Sequence, residues 1–326
     1  MRYAHVGSSG LEVSRLVLGM MSFGDHSRRA WHLDLDAARP LVRRAAEAGI
    51  TAYDTSDVYD RGASEEVTGR LLREMFARRE DYVLSTKVYY PMSDAPGDRG
   101  LSRRHVLASI DASLRRLGTD HVDLYYVHRW DHETPVEETM EALDTVVRAG
   151  KARYVGASSM YAWQFATAQH VAERHGWHRF VAMQNHYHLA YREEEREMVP
   201  LCVDQGVGVL PYSPLARGLL TGSRTRGGGG STTRSGNDPA AGQLYSDADF
   251  DVVDALVEVA AELGRPPAQV ALAWLLGRPG VTAPVVGVTK AAHLEDALAS
   301  VDLVLDQDAC ARLEAAYAPH AVAGPE

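Results

Sequence analysis

Short β-branched runs alternate with longer amphipathic runs eight times along this chain, and that rhythm leaves few folds open. The strand candidates are RLVLG (15–19), ITAYD (50–54), YVLSTK (82–87), VDLYYVH (122–128), ARYVGAS (152–158), FVAMQN (180–185), GVGVLPY (206–212) and TAPVVG (282–287). A hairpin at 3–13, turning at Ser8-Ser9-Gly10, precedes them. Helix patterns fall at 36–48, 64–75, 103–117, 135–149, 161–174 and 193–204, then at 248–263, 267–277, 290–300 and 306–317. Asp36, Ser64, Ser102 and Thr134 suit helix N-caps, because their side-chain oxygens can take up free backbone N–H groups. Gly49, Gly118 and Gly150 suit helix ends. Strand–helix alternation repeated eight times predicts an α/β fold, a (β/α)8 TIM barrel with an N-terminal hairpin and a C-terminal helix. A doubly wound sheet is the rival, but it would carry G-x-G-x-x-G after its first strand. The chain has GMMSFGDHS there.

Size and charge agree with such a barrel. The 326 residues are expected to form one barrel domain, 1–326, with enough apolar content (45%) to build a large core. A net charge of −10 disfavours nucleic acid or an anionic membrane as partner, leaving a small molecule. The two cysteines, Cys202 and Cys310, read as reduced thiols, and Cys202 as core packing. The N-terminus lacks the basic-then-apolar pattern of a signal peptide, and no run reaches the roughly 18 apolar residues of a membrane span. A cytoplasmic location is expected. Oligomeric state is left open.

In a barrel of this kind the active site is built at the C-terminal strand ends. Asp54, Lys87 and His128 close three successive strand candidates, and Tyr59 lies on the loop after Asp54. A phenol at its usual pKa of about 10 is a poor acid near neutrality. A nearby ammonium such as Lys87 is expected to lower it, with Asp54 holding the lysine charged. The set could deliver a proton to an oxygen on which negative charge develops. Singly, each residue has an ordinary reading: a cap, loop packing, a surface imidazole. Four together at adjacent strand ends are harder to dismiss.

The other strand ends carry a second group: Ser158 and Ser159, Gln184 and Asn185, then Tyr212-Ser213-Pro214-Leu215, then Gly287-Val288-Thr289-Lys290. A hydroxyl, a lysine and backbone N–H groups at a helix start can bind phosphate, although a plain N-cap would look alike. Between them, 217–245 contains Gly227 to Gly230 together with Arg224, Arg226 and Arg234. That composition suggests a flexible basic loop able to cover an anionic ligand. The fourteen histidines raise metal binding, with His186/His188 and His175/His178 closely spaced. No zinc-type ligand set accompanies them, so no metal is expected.

The stretches YDTSDVY (53–59), LSTKV (84–88), DLYYVHRWD (123–131), YVGASS (154–159), MQNHYHL (183–189), YSPLARGLLTG (212–222) and PVVGVTK (284–290) resemble, in order and spacing, those of aldo-keto reductases. The resemblance spans Arg15 to about Leu305. It is nearest the bacterial branch similar to aryl-alcohol dehydrogenases and related to potassium-channel β subunits. It implies an NADP(H)-dependent oxidoreductase that reduces aldehydes or ketones, without a Rossmann fold. Tyr59 would be the proton donor, Lys87 and Asp54 its tuning pair, and His128 the substrate-orienting residue. Ser158, Ser159 and Gln184 would hold the nicotinamide carboxamide, Tyr212 would stack on its ring, and Ser213, Leu215 and Gly218 would line the pyrophosphate. Thr289 and Lys290 would meet a 2′-phosphate, which favours NADPH over NADH. Gly19, Met20, Met21, Asp54, Pro214, Arg217, Arg234, Gly287, His293 and Asp296 complete the expected cofactor set. Ser159 stands where many members have Asn, and His293 and Asp296 where Gln and Glu are common. Arg224 and Arg234 are alternative candidates for a phosphate contact. Phe23, Trp130 and Tyr187, with Tyr59 and His128, are expected to wall the substrate pocket. The same family includes a different kind of protein, a redox-sensing regulatory subunit with little turnover. The channel subunits have Asn where this chain has His128, so His128 favours an enzyme.

Overall fold

The computed structural model describes residues 1–224, 226, 245 and 247–322. An antiparallel hairpin, β1 (Tyr3–His5) and β2 (Glu12–Ser14), opens the chain. Eight parallel strands follow: β3 (Val17–Gly19), β4 (Ala52–Asp54), β5 (Val83–Val88), β6 (Val122–Val127), β7 (Ala152–Ser158), β8 (Phe180–Gln184), β9 (Gly208–Val209) and β10 (Val285–Gly287). They lie in the order β10-β3-β4-β5-β6-β7-β8-β9. Parallel bridges from Val209 to Val281 and from Tyr212 to Val285 join the two ends of that row, so the sheet curls into the expected eight-stranded barrel.

Side chains of alternate strand residues point to opposite faces, and the core divides accordingly. Leu18, Tyr53, Leu84, Tyr125, Val155, Met183 and Val286 face outward into the helical layer. Their neighbours Val17, Ala52, Leu124, Tyr126, Ala182, Leu210 and Val285 fill the barrel, where Val6, Leu11 and Val13 of the hairpin join them. The hairpin therefore plugs the N-terminal mouth and leaves the C-terminal mouth for a site. Two glycines permit this packing. A Cβ on Gly7 (φ +58°) would sit 2.1 Å from the Gly206 carbonyl oxygen, and one on Gly156 would sit 2.5 Å from the Tyr126 ring.

Among the described residues ten α-helices surround the strands: α1 (Leu35–Glu47), α2 (Ala63–Met75), α3 (Arg103–Leu117), α4 (Val136–Arg148), α5 (Ala162–His175), α6 (Met198–Asp204), α7 (Asp249–Glu262), α8 (Pro267–Leu276), α9 (Ala291–Ser300) and α10 (Gln307–Ala315). Ser102 caps α3 as expected, accepting from the His105 N–H at 3.3 Å. Helix α1 is capped by Asp34, two residues before the expected Asp36, because Asp34 has the extended backbone a cap needs. Ser64 lies inside α2, where its hydroxyl meets Thr55 and the Met20 carbonyl. Cys202 is a buried free thiol. No described helix is long and apolar enough to cross a membrane.

Candidate active site

The barrel register brings the first group together. Asp54 on β4 stands beside Ser85 on β5, and Lys87 lies two residues further along the same inner face. Lys87 Nζ is fully buried and donates to Asp54 Oδ2 (2.5 Å), the Thr55 carbonyl (2.8 Å) and the Tyr59 hydroxyl (3.3 Å). An ammonium has three protons, so this set saturates it. Asp54 Oδ1 accepts from Ser85 Oγ (2.7 Å) and Gln184 Nε2 (3.0 Å). Burial opposes the charge on Lys87, but Asp54 and Tyr59 outweigh it and hold its pKa above the ordinary lysine value.

Tyr59 begins a short 3-10 turn (Tyr59–Gly62) on the loop after β4. Buried bonds tie that loop down: Thr55 Oγ1 to Ser64 Oγ (2.9 Å), the Asp57 N–H to the Lys87 carbonyl (3.3 Å) and the Val58 N–H to Asp57 Oδ1 (2.6 Å). Asp60 and Arg61 hold positive φ of 51° and 54°, and Asp60 Oδ2 accepts from the Asp25 N–H at 2.5 Å. The net electrostatic effect on Tyr59 differs from the sequence expectation. Burial raises its pKa more than the Lys87 ammonium lowers it, so the phenol stays protonated at neutral pH. That state suits a proton donor.

His128 follows β6. Its Nδ1 lies 3.2 Å from Ser56 Oγ, and its ring is edge-on to Tyr59 (centroids 5.8 Å) and Tyr90 (5.0 Å). Burial, then the Lys87 and Arg129 charges, drive its pKa well below the ordinary value, leaving a neutral imidazole. Ser56 Oγ also donates to Asp57 Oδ1 at 3.1 Å, so one hydroxyl links a carboxyl to the imidazole. Asp57 is buried, with its pKa pushed up to about 8 by burial and by Glu65.

The second group occupies the opposite side of the mouth. Ser158 ends β7 in register with Gln184 of β8. Ser159 Oγ lies 3.3 Å from Ser158 Oγ and donates to the Tyr212 hydroxyl at 3.2 Å. Gln184, through Asp54, connects the two groups. Tyr212 is half-buried, one face covered by His186 at 5.4 Å and 5° between planes. His186 stacks in turn on Tyr191 at 4.5 Å, and its Nε2 lies 2.9 Å from that of His188. A ladder of rings thus fixes the plane of the exposed Tyr212 face. Beyond it, Ser213 (φ 52°), Ala216 (φ 51°), Arg217 (φ 53°) and Gly218 (φ 95°) curl the backbone around buried Pro214 and half-buried Leu215. Space beside Gly218 is open.

After β10, Gly287 and Lys290 are exposed and Thr289 is half-buried. Lys290 has extended backbone at the start of α9, and no side chain caps that helix. Uncapped N–H groups beside a lysine are suited to phosphate. Gly19, at the end of β3, pairs in register with Gly287 and Asp54, and Met20 and Met21 follow it. His293 is exposed, whereas Asp296 is half-buried and accepts from Gln269 Nε2 at 2.9 Å. Arg234, Gly227 to Gly230 and most of 217–245 lie outside the described residues. Asn185 Oδ1 is a buried acceptor without a hydrogen-bond partner, next to Gln184. Together the half-covered ring, the serine pair, the curled backbone and the helix start without a side-chain cap line one side of the mouth and could hold an extended, phosphate-bearing ligand.

The expected pocket walls are dispersed. Phe23 is fully buried in the core beneath the helices. Tyr187 is also buried, its hydroxyl on Glu195 (2.6 Å) and its ring against Trp274. Trp130 is half-buried against the core and pairs with Trp163 at 5.9 Å. Tyr90 and Arg129, which the sequence reading passed over, are the residues that flank His128. Ser85, Ser56 and Thr55 were missed as well. Their signal was available: Ser85 and Lys87 share a strand face, and Arg129 directly follows a strand end.

Comparison with known proteins agrees with this geometry. The aldo/keto reductase family model matches residues 15–318. Versiconal hemiacetal acetate reductase of Aspergillus parasiticus is 42% identical, covering 99% of this chain and 98% of its own length. Aldo-keto reductase dtxS3 of Metarhizium robertsii is 40% identical over 99% of this chain and 92% of its own. Proteins of Schizosaccharomyces pombe and Saccharomyces cerevisiae that carry aryl-alcohol dehydrogenase names are 38% and 34% identical, each spanning 97% of its own length. With the family model spanning nearly the whole barrel, and the expected Asp–Tyr–Lys–His constellation assembled at its C-terminal mouth, the chain belongs to the aldo/keto reductase family.

Proposed function

We propose that this chain is an NADP(H)-dependent oxidoreductase that interconverts carbonyl compounds and alcohols, with Tyr59 as the proton donor in reduction. The observation that carries the reading is the buried relay Asp54–Lys87–Tyr59, with its phenol protonated at neutral pH and a neutral His128 alongside. A bound nicotinamide supplies the hydride for reduction and accepts it for oxidation. The protein's own groups do the rest. Tyr59 presents its hydroxyl to the carbonyl oxygen and releases the proton as negative charge develops there. Lys87 stabilises the phenolate left behind, and Asp54 keeps Lys87 charged and aimed. His128 orients the same oxygen. In alcohol oxidation Tyr59 accepts the proton instead. Tyr212, held flat by His186, would support the nicotinamide, and Ser158, Ser159 and Gln184 would meet its carboxamide. Thr289 and Lys290, at the free start of α9, would favour the 2′-phosphate form.

Names of relatives, a hemiacetal acetate reductase and aryl-alcohol dehydrogenases, support carbonyl or alcohol chemistry on oxygenated organic molecules. The test is NADPH and NADH consumption across a panel of aldehydes and ketones. Reduction of several aldehydes, with NADPH preferred, is expected. Tight NADPH binding without turnover on any carbonyl would instead favour a cofactor-sensing regulatory subunit. Absence of both would end the proposal.

A further inference from the structure

Several half-buried arginines in this protein are neutralised by carboxylates, while Arg15 instead donates to the Val281 and Leu276 carbonyls (3.2 and 2.6 Å). Arg79 pairs with Asp123 (2.6 Å), Arg116 with Glu65 (2.6 Å), Arg192 with Glu195 (2.7 Å) and Arg278 with Glu314 (2.6 Å). Arg129 is different. It is half-buried beside His128 at the catalytic mouth, yet no carboxylate among the described residues lies within ion-pair distance of it. Its Nε donates to the Tyr90 hydroxyl at 2.7 Å. Its Nη1 is enclosed and has no partner. The Tyr90 phenol, having accepted that bond, keeps its own O–H proton for a further acceptor.

A guanidinium with an enclosed, unused N–H carries a desolvation cost, larger for a charged group than for a neutral one. Its planar fork matches a carboxylate. Position separates the missing acceptor from the phosphate end of the cofactor site. Arg129 follows β6, which stands opposite β10 in the eight-strand ring, whereas the phosphate-suited helix start follows β10. Arg129 directly follows His128, and Tyr90 packs edge-on against His128, which in turn packs against Tyr59, where the carbonyl oxygen would sit.

We infer that Arg129, steadied by Tyr90, anchors an anionic carboxylate of the substrate, so that this enzyme favours aldehydes and ketones bearing a carboxylate away from the reacting carbonyl. The inference rests on the carbonyl-reductase reading above.

The experiment compares 4-carboxybenzaldehyde with benzaldehyde, using NADPH and the full-length protein. Wild type is expected to favour the carboxylate at least tenfold in kcat/KM, mainly through KM. In Arg129→Gln the ratio falls at least tenfold, and Arg129→Lys, which keeps charge but loses the fork, falls between. Benzoate is expected to compete with benzaldehyde in wild type, a measurement independent of any variant's folding. Three results would overturn the inference: no carboxylate preference and no benzoate competition in wild type, an equal loss for both aldehydes in Arg129→Gln, or an NADPH Kd that rises as far as the carboxylate KM. Wild type inert toward every carbonyl tested would sink the underlying reading instead, so the two failures are distinguishable.

Discussion

The two sides of the barrel mouth solve opposite problems. On the β4–β6 side, polar groups satisfy one another: Lys87 uses all three of its protons, and Asp54 accepts from Lys87, Ser85 and Gln184. On the β7–β10 side they wait. Four of the six described non-glycine residues with positive φ (Ser159, Ser213, Ala216 and Arg217) lie there, together with the partnerless Asn185 Oδ1 and the start of α9, which no side chain caps. Each such φ costs about 1–2 kcal/mol. On the proposed function, the contrast teaches that the proton-transfer groups would be pre-organised by internal bonds, whereas the side proposed to hold the ligand keeps strain and unused polar groups for it to satisfy.

Breaking the self-satisfied side should have the larger effects. Asp57 is an exception, as Arg129 is: a buried carboxyl whose folded pKa is raised to about 8. The sign follows from linkage. Below pH ~4 the group is protonated whether folded or unfolded, and no penalty arises. As pH rises toward 8, the unfolded chain ionises while the folded one keeps its proton, so wild type loses stability. Asp57→Asn removes the titration. Its stability relative to wild type should climb between pH 4 and 8, with a slope approaching about 1.4 kcal/mol per pH unit, and level off above. Denaturant midpoints across that window check it, and a pH-independent difference would refute it.

Removing Lys87 leaves the Asp54 charge buried without its partner. Lys87→Met should therefore cost about 3–5 kcal/mol, read by chemical denaturation. Adding Asp54→Asn should recover part of the loss, because the orphaned charge goes too. A double variant no more stable than the single one would argue against a charge-based cost.

Changes on the waiting side should leave the fold nearly intact. Lys290→Ala is expected to weaken NADPH roughly tenfold, the scale of one charge-assisted hydrogen bond, and NADH hardly at all. Equal losses for both would take Lys290 away from the 2′-phosphate. The smallest effect is Ser213→Gly. Relief of its φ of 52° outweighs the entropy that glycine adds to the unfolded chain, for a gain of up to about 1 kcal/mol in thermal or denaturant unfolding. A loss of stability would mean that the Ser213 side chain contributes more than its backbone strain removes.

Much of this was legible from the chain. Asp54 and Lys87 were readable because strand period and strand end together dictate both face and depth. The limits are equally physical. Asp36 looked like the cap of α1, but the choice between Asp34 and Asp36 depends on which backbone turns extended. Strand β9 is reduced to Gly208–Val209, with Pro211 following, since proline cannot donate to a ladder. Phe23 and Tyr187 follow strand ends as expected of pocket residues, yet both side chains are taken up by the core. A residue just past a strand end can turn either way, and local sequence does not say which. The upward shift of Tyr59 was hidden because desolvation depends on burial by distant segments.

Tyr59→Phe tests the central claim most directly. It removes one oxygen from the relay and leaves the ring in place. Measured together, NADPH affinity and kcat for an aldehyde turned over by wild type should separate: Kd within about twofold of wild type, kcat reduced roughly 10²–10⁴-fold, the usual scale of general acid catalysis. A variant that binds NADPH normally and keeps wild-type kcat would show that Tyr59 does not supply the proton.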